Sequence, residues 1–315
     1  MKNSFSCLCR LTVAFSLFPF YSCQENVNAT QVAEGSQLAE SNVSFPPGFL
    51  NYWYSGKAEI SSYQLTQARY RELHPGSAVL VFVTEDFSQS KQVKLDNPLD
   101  AAEDKLPVLK LNASKKFNTG IYPYSMMLSV FSPMDGRRAV KTTASIQEWC
   151  GMTFQQLNLR QHRYEIESHS YFEAEGDQAL SVESTLLEDE LWNLIRLAPE
   201  NLPTGSQKIL PGAFFTRLSH RPLQTQTANL RLEKRQDKNL YFIDYPSLNY
   251  TLLIIFESAF PYKILGWEET FPGFDGKKLT TTAVLDKTIQ LDYWNRHSNT
   301  DRALREQLNL PTDFQ

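Results

Sequence analysis

The chain carries 315 residues, of which 42% are hydrophobic and 21% charged, with a formal net charge of −4. That balance supplies enough apolar mass for one large β domain or two smaller ones without metal or disulfide staples. It lacks the basic surplus that a nucleic-acid-binding surface requires.

Residues 1–22 have the grammar of a cleaved export signal: Lys2 and Arg10, a short apolar run from Leu11 to Phe20, then Tyr21, Ser22 and Cys23. The run is about half the roughly twenty residues that a membrane-spanning helix needs, and Pro19 would interrupt such a helix. Ser22–Cys23 resembles the lipobox of bacterial lipoproteins, in which a cysteine after a small residue is acylated on sulfur and then on its newly exposed amino group. Phe20 and Tyr21 depart from the Leu and small residue usual there, and the alternative is an ordinary secretory signal with an incidental cysteine. The expected attachment is Cys23, where several acyl chains at about 0.8 kcal/mol per buried methylene give a permanent anchor. Residues 23–45 then form the lipidated cysteine and a polar tether, reaching on the order of 25 Å.

From residue 46 to about 290, turn-separated strand patterns dominate. Tyr52 to Ile60 and Tyr63 to Tyr70 alternate around aromatic residues, with Ser61–Ser62 as a turn between them. Ala78 to Thr84 is apolar at both parities and reads as a strand covered on both faces, with Gln92 to Leu95 as a hairpin partner. In the segment 115–131, a strand would put Tyr122, Tyr124, Met126 and Leu128 on one continuous apolar face; they are the candidate wall of a ligand groove. Asp135–Gly136 signals a hairpin, and strands follow over 139–150, 153–160 and 164–172. The period then changes: Thr185 and Glu188 suit a capping box, and Leu187, Leu191, Leu194, Ile195 and Ala198 share a helical face over 186–198. Further strands are expected at 213–218, 227–233, 240–245, 252–256, 263–267 and 279–285, before a C-terminal helix or tail over 291–315.

Catalytic signatures do not emerge. The five histidines, His74, His162, His169, His220 and His297, are scattered without zinc-motif spacing, and phosphate-binding glycine loops and a Gly-x-Ser-x-Gly elbow are absent. The acids 188–190 and 268–269 read as solvated charge. Of four cysteines, Cys7 and Cys9 lie in the export signal and Cys23 takes lipid, which leaves Cys150 as a small buried hydrophobe.

Tyr52-Trp-Tyr-Ser-Gly-Lys57, Val81-Phe-Val-Thr-Glu-Asp86, the run from Lys115 to Ser125 and Asp189-Glu-Leu-Trp192 together resemble a group of exported Gram-negative lipoproteins. Some of these carry the label of the septum formation inhibitor Maf, but the Ser- and Arg-rich Maf phosphate motif has no counterpart in this chain, so no activity follows from the label. The strand pattern with one amphipathic helix is similar to the half-barrel of periplasmic lipoprotein carriers. The expectation is a mainly β protein, a large curved antiparallel sheet or half-barrel with a covering helix, anchored by lipid in the envelope, at the outer membrane. It would bind a lipid, acyl chain or envelope partner without catalysis or cofactor; the alternatives are a hydrolase using His162, His169 or His220, and a purely structural lipoprotein.

Overall fold

The structure is a computed structural model that describes residues 45–312, apart from 102 and 274. The expected export signal, the Cys23 attachment and the expected tether lie outside the described residues. The first eight strands are β1 (Ala58–Arg69), β2 (Glu72–Ser88), β3 (Lys105–Thr119), β4 (Tyr122–Pro133), β5 (Lys141–Glu148), β6 (Gly151–Arg160), β7 (Arg163–Ser170) and β8 (Gln178–Glu183). A second run comprises β9 (Leu186–Leu187), β10 (Gly205–Leu210), β11 (Gln226–Lys234), β12 (Lys238–Tyr245), β13 (Tyr250–Glu257), β14 (Ile264–Pro272) and β15 (Lys278–Leu291). Among the described residues four short α-helices accompany them: α1 (Phe49–Trp53), α2 (Leu191–Leu197), α3 (Ala213–Leu218) and α4 (Leu304–Gln307).

All fifteen strands belong to one sheet, ordered β8-β7-β6-β5-β4-β3-β2-β1-β15-β14-β13-β12-β11-β10-β9. Every ladder is antiparallel except the two-residue pairing of β9 with β10. The mainly β class and the large curved antiparallel sheet are therefore as the sequence led us to expect. The ends of the strand order are β8 and β9, yet only three peptide steps separate Glu183 from Leu186. Three steps span at most about 11 Å, so the sheet curls until its two edges stand side by side. No ladder among the described residues closes them into a barrel. At this seam the Ser184 N–H donates to the His162 carbonyl (2.8 Å) and the Thr185 hydroxyl to the Lys208 carbonyl (3.0 Å).

The two-sided apolarity of 78–84 has a direct structural cause. Ala78, Leu80 and Phe82 point into the main core, whereas Val79, Val81 and Val83 lie beneath Leu308, Leu310 and Tyr293 of the C-terminal segment. A strand covered on both sides has no face left for polar side chains. The expected C-terminal helix amounts to 3-10 turns and the four-residue α4.

Several local expectations change. Residues 49–53 form α1 rather than strand, and Ser61–Ser62 is not a turn but lies within β1, where the register against β15 shifts by one residue. The partner proposed at 92–95 is reduced to a single bridge between Phe87 and Lys94. Residues 213–218 are helical, not extended. The helix expected over 186–198 begins only at Leu191, because Leu186 and Leu187 pair with β10 and Thr185 bonds across to Lys208 instead of capping. It also sits deeper than a cover: Leu191, Asn193, Ile195, Arg196 and Leu197 are all buried, and α2 fills the curl of the sheet. The Asn193 side-chain amide donates to the Leu109 carbonyl (3.0 Å) and the Ser132 hydroxyl (3.0 Å), bonding the helix to β3 and β4.

Candidate functional site

The meeting of two unpaired sheet edges leaves a groove of about 720 Å³. Its apolar floor comes from Leu186 of β9, Leu194 and Leu197 of α2, Val140 and Leu159, with Pro133 and Pro203 at the sides. Leu186 belongs to the edge strand β9, Leu159 to β6 and Val140 to the β4–β5 connection, and α2 presents its part-buried Leu194 to the gap. Arg137, Arg138 and His162 stand on the polar side. The loop that carries the arginines is tied down by one buried carboxylate: Glu190 accepts from Arg138 Nη1 (2.7 Å), the Ala139 N–H (2.7 Å) and the Leu187 N–H (3.2 Å). Burial pushes the Glu190 carboxyl upward, against the opposing effect of the Ala139 amide and the Arg138 charge. Both arginine side chains remain about half exposed, at 60% and 46%.

A second space lies inside the curl between α2, α3 and the strands, but it measures only about 40 Å³. Ligand pockets run to roughly 300–1,000 Å³, so the groove is in range and the interior space is of water size. That interior is nonetheless heavily charged. Lys115 Nζ meets Glu269 Oε1 at 2.5 Å, with the ammonium 5.5 Å from the centre of the Phe214 ring and 5.7 Å from that of Trp267. Glu188 accepts from the Tyr250 hydroxyl (3.0 Å), and Asp189 accepts from the Ala213 N–H (3.1 Å) at the start of α3. A Cβ at Gly212 would meet the Glu188 carboxylate, which would have to shift to admit it. Burial, reinforced by the Asp189 charge, pushes Glu188 up to about 8; burial pushes Asp189 up to about 7. The Tyr245 hydroxyl is a second buried neighbour of the Glu188 carboxylate, and burial and that charge push its own ionisation well up.

The reading of residues 188–190 and Glu269 as solvated charge is thus corrected: Glu188, Glu190 and Glu269 are all buried. One signal in the chain pointed this way. No basic residue lies within four positions of 188–190, whereas a solvated helical acid commonly has a cation at that spacing.

Tyr122, Tyr124, Met126 and Leu128 do share the inner face of β4, alternating with exposed Pro123, Ser125 and Met127. Tyr124 stacks on Phe117 with centroids 4.7 Å apart and hydrogen-bonds Tyr70 (2.8 Å); Tyr122 is part-exposed at the strand end. Leu128 reaches the interior space, and none of the four lines the seam groove. Cys150, expected to be buried, is exposed at the β5–β6 tip, where Glu148 holds its thiol above the ordinary value. Among the histidines, His74 is buried against the Arg69 carbonyl (3.0 Å), His162 borders the groove, and His169 lies 3.5 Å from Asp177 in the open. His220 hydrogen-bonds Glu175 (2.7 Å) in a separate cleft of about 150 Å³. No group of three or more acidic, His or Cys side chains among the described residues is arranged to hold a metal ion. No described helix is long and apolar enough to cross a membrane.

No family model matches the chain, and no curated protein matches it. Among solved structures, the chain is similar to the beta-barrel-like protein of domain of unknown function DUF1849 from Brucella abortus, at 8% identity and a TM-score of 0.39. The match covers 74% of this chain and 97% of that one.

Proposed function

We propose that the protein is an envelope lipoprotein, anchored through Cys23 at the outer membrane, that holds an acyl chain or similar amphipathic ligand in the seam groove. The observation that carries the reading is the groove itself, about 720 Å³ with an apolar floor and two arginines on its polar side. Leucine and valine side chains suit a hydrocarbon tail, and guanidinium groups suit an acidic head by charge-assisted hydrogen bonds. The export signal, the Ser22–Cys23 junction and the likeness to exported lipoproteins support the address.

Leu194→Trp would fill the groove from α2 while leaving the interior face of that helix untouched. Affinity for a fluorescent fatty-acid probe should fall about tenfold, the equivalent of 1.4 kcal/mol. Unchanged affinity with a normal unfolding curve defeats the groove as the site. Radiolabelled palmitate should enter the wild-type chain and not Cys23→Ala; equal labelling of both removes the anchor.

A hydrolase is the second reading, favoured by the His220–Glu175 pair, since a carboxylate-oriented imidazole in a cleft is the arrangement of a general base. It predicts the opposite pattern. His220→Ala would abolish turnover of ester substrates, and Leu194→Trp would leave turnover intact; no ester cleavage by the wild-type chain excludes it.

A further inference from the structure

The cleft beside His220 lies at the other end of the strands from the seam groove, between α3 and the ends of β5, β6 and β7. Its deepest cation is Arg217, whose side chain is only 7% exposed. The guanidinium carbon sits 4.1 Å from the centre of the Phe172 ring, which supplies one stacked face. Its carboxylate neighbours are distant, Glu175 at 3.8 Å and Glu148 at 3.9 Å, beyond hydrogen-bonding range. Both also hydrogen-bond elsewhere: Glu175 accepts from Ser170 (2.6 Å) and pairs with His220 (2.7 Å), and the other Glu148 oxygen accepts from the Cys150 N–H (2.7 Å). Nη1 approaches the His220 ring at 3.4 Å, and Nε is buried with no hydrogen-bond partner.

A buried guanidinium with two carboxylates nearby but neither in hydrogen-bonding contact, and with Nε unpartnered, keeps donors for an anion, and a buried donor left unfilled is costly. Burial holds Arg217 below the ordinary arginine value, against the raising effect of the Glu175 and Glu148 charges and with a further lowering from Arg69. Arg221 adds a second positive group at the cleft wall, opposed by the Glu175 carboxylate, while Ile146, Phe154 and Leu223 supply apolar surface beside the polar Gln155, Ser168 and Gln178. The volume, about 150 Å³, is the size of cavity that accepts a benzene ring.

We infer that this cleft is a binding site for a small organic carboxylate, its anionic head on Arg217 and its apolar body against Ile146, Phe154 and Leu223. The site is independent of the seam groove, and it stands whether or not His220 takes part in turnover. Inorganic anions fit it poorly because they leave the apolar half in contact with water, and neutral isosteres fit poorly because they leave Arg217 unpaired.

Calorimetric titration of the full chain with benzoate, benzamide and inorganic phosphate tests the inference. Benzoate should saturate, with benzamide and phosphate each weaker by about tenfold or more, as expected for a charge-assisted pair combined with apolar burial. Arg217→Lys, which keeps the charge but loses the planar fork, should weaken benzoate about tenfold, and the peripheral Arg221→Ala by about threefold. Arg221→Ala keeps the test open if the buried substitution harms folding. The site is overturned by benzamide or phosphate matching benzoate, by the absence of benzoate binding at about 10 mM where even a millimolar complex would be evident, or by unchanged benzoate affinity in folded Arg221→Ala.

Discussion

Arg196→Ala is expected to cost the fold about 3–5 kcal/mol, the range for removing one partner of a buried ion pair. Arg196 is fully buried in α2 and forks onto Glu59 of β1, with Nη1 to Oε1 at 2.6 Å and Nη2 to Oε2 at 2.7 Å. Its Nε donates to the Pro261 carbonyl (3.0 Å), and the guanidinium carbon lies 4.5 Å from the centre of the Phe82 ring. The Tyr52 hydroxyl also donates to Glu59. Burial pushes the Glu59 carboxyl up, but the charge and hydrogen bonds of Arg196 outweigh it and hold the group below its ordinary value. Removing the arginine leaves a buried carboxylate that keeps, among the described residues, only the Tyr52 hydroxyl as a side-chain donor. The double variant Glu59→Leu/Arg196→Met, which removes both charges and keeps the volume, should recover most of the loss. Urea unfolding of the three proteins decides the matter. A single variant losing under about 1 kcal/mol, the scale of an exposed pair, would mean that this bridge does not hold α2 inside the sheet.

Glu188→Gln is expected to stabilise the protein at alkaline pH and leave it unchanged in acid. Below its ordinary value of 4.5 the carboxyl is protonated in both folded and unfolded chains, and no difference arises. As pH rises, the unfolded chain releases this proton first, while the folded chain holds it until about 8. Folding then requires proton uptake, so wild-type stability falls across that window and the loss is complete above it. A glutamine has no proton to lose, and its side-chain amide keeps hydrogen-bonding atoms beside Tyr245 and Tyr250. With about 1.4 kcal/mol per pKa unit and allowance for relaxation, the gain at pH 8.5 should be on the order of 2 kcal/mol. Tm should rise by about 4 °C at that pH for a domain of this size. An equal shift at pH 4.5 would show that packing, rather than ionisation, is responsible.

These two carboxylates mark where reading along the chain stops. Glu59 sits in an alternating, aromatic-flanked run, and Glu188 sits in a run of three acids; both look like surface charge from their neighbours. Their partners are Arg196, 137 positions away, and Tyr250, 62 positions away. Local spacing carries no information about such pairs. The helix at 213–218 was hidden for a related reason. Ala-Phe-Phe-Thr-Arg-Leu has strand-like content, and what supports the turn of helix is packing of Phe215 on Tyr250, centroids 3.8 Å apart, together with Asp189 accepting from the Ala213 N–H. Tertiary contacts override weak propensity in so short a segment.

Strand periodicity, by contrast, survives translation into three dimensions because the pleat imposes it on each strand separately. Tyr124, Met126 and Leu128 face inward as their spacing requires, and the two-sided apolarity of 78–84 reflects cover on both faces. The β class, the large antiparallel sheet and the interior-facing sides of these strands follow from sequence alone. The groove does not, because it exists only where β8 and β9, neighbours in the chain and opposite ends of the strand order, are brought side by side by the curl of fifteen strands. Curvature of that kind is a sum over every strand pair, and no single stretch of residues encodes it.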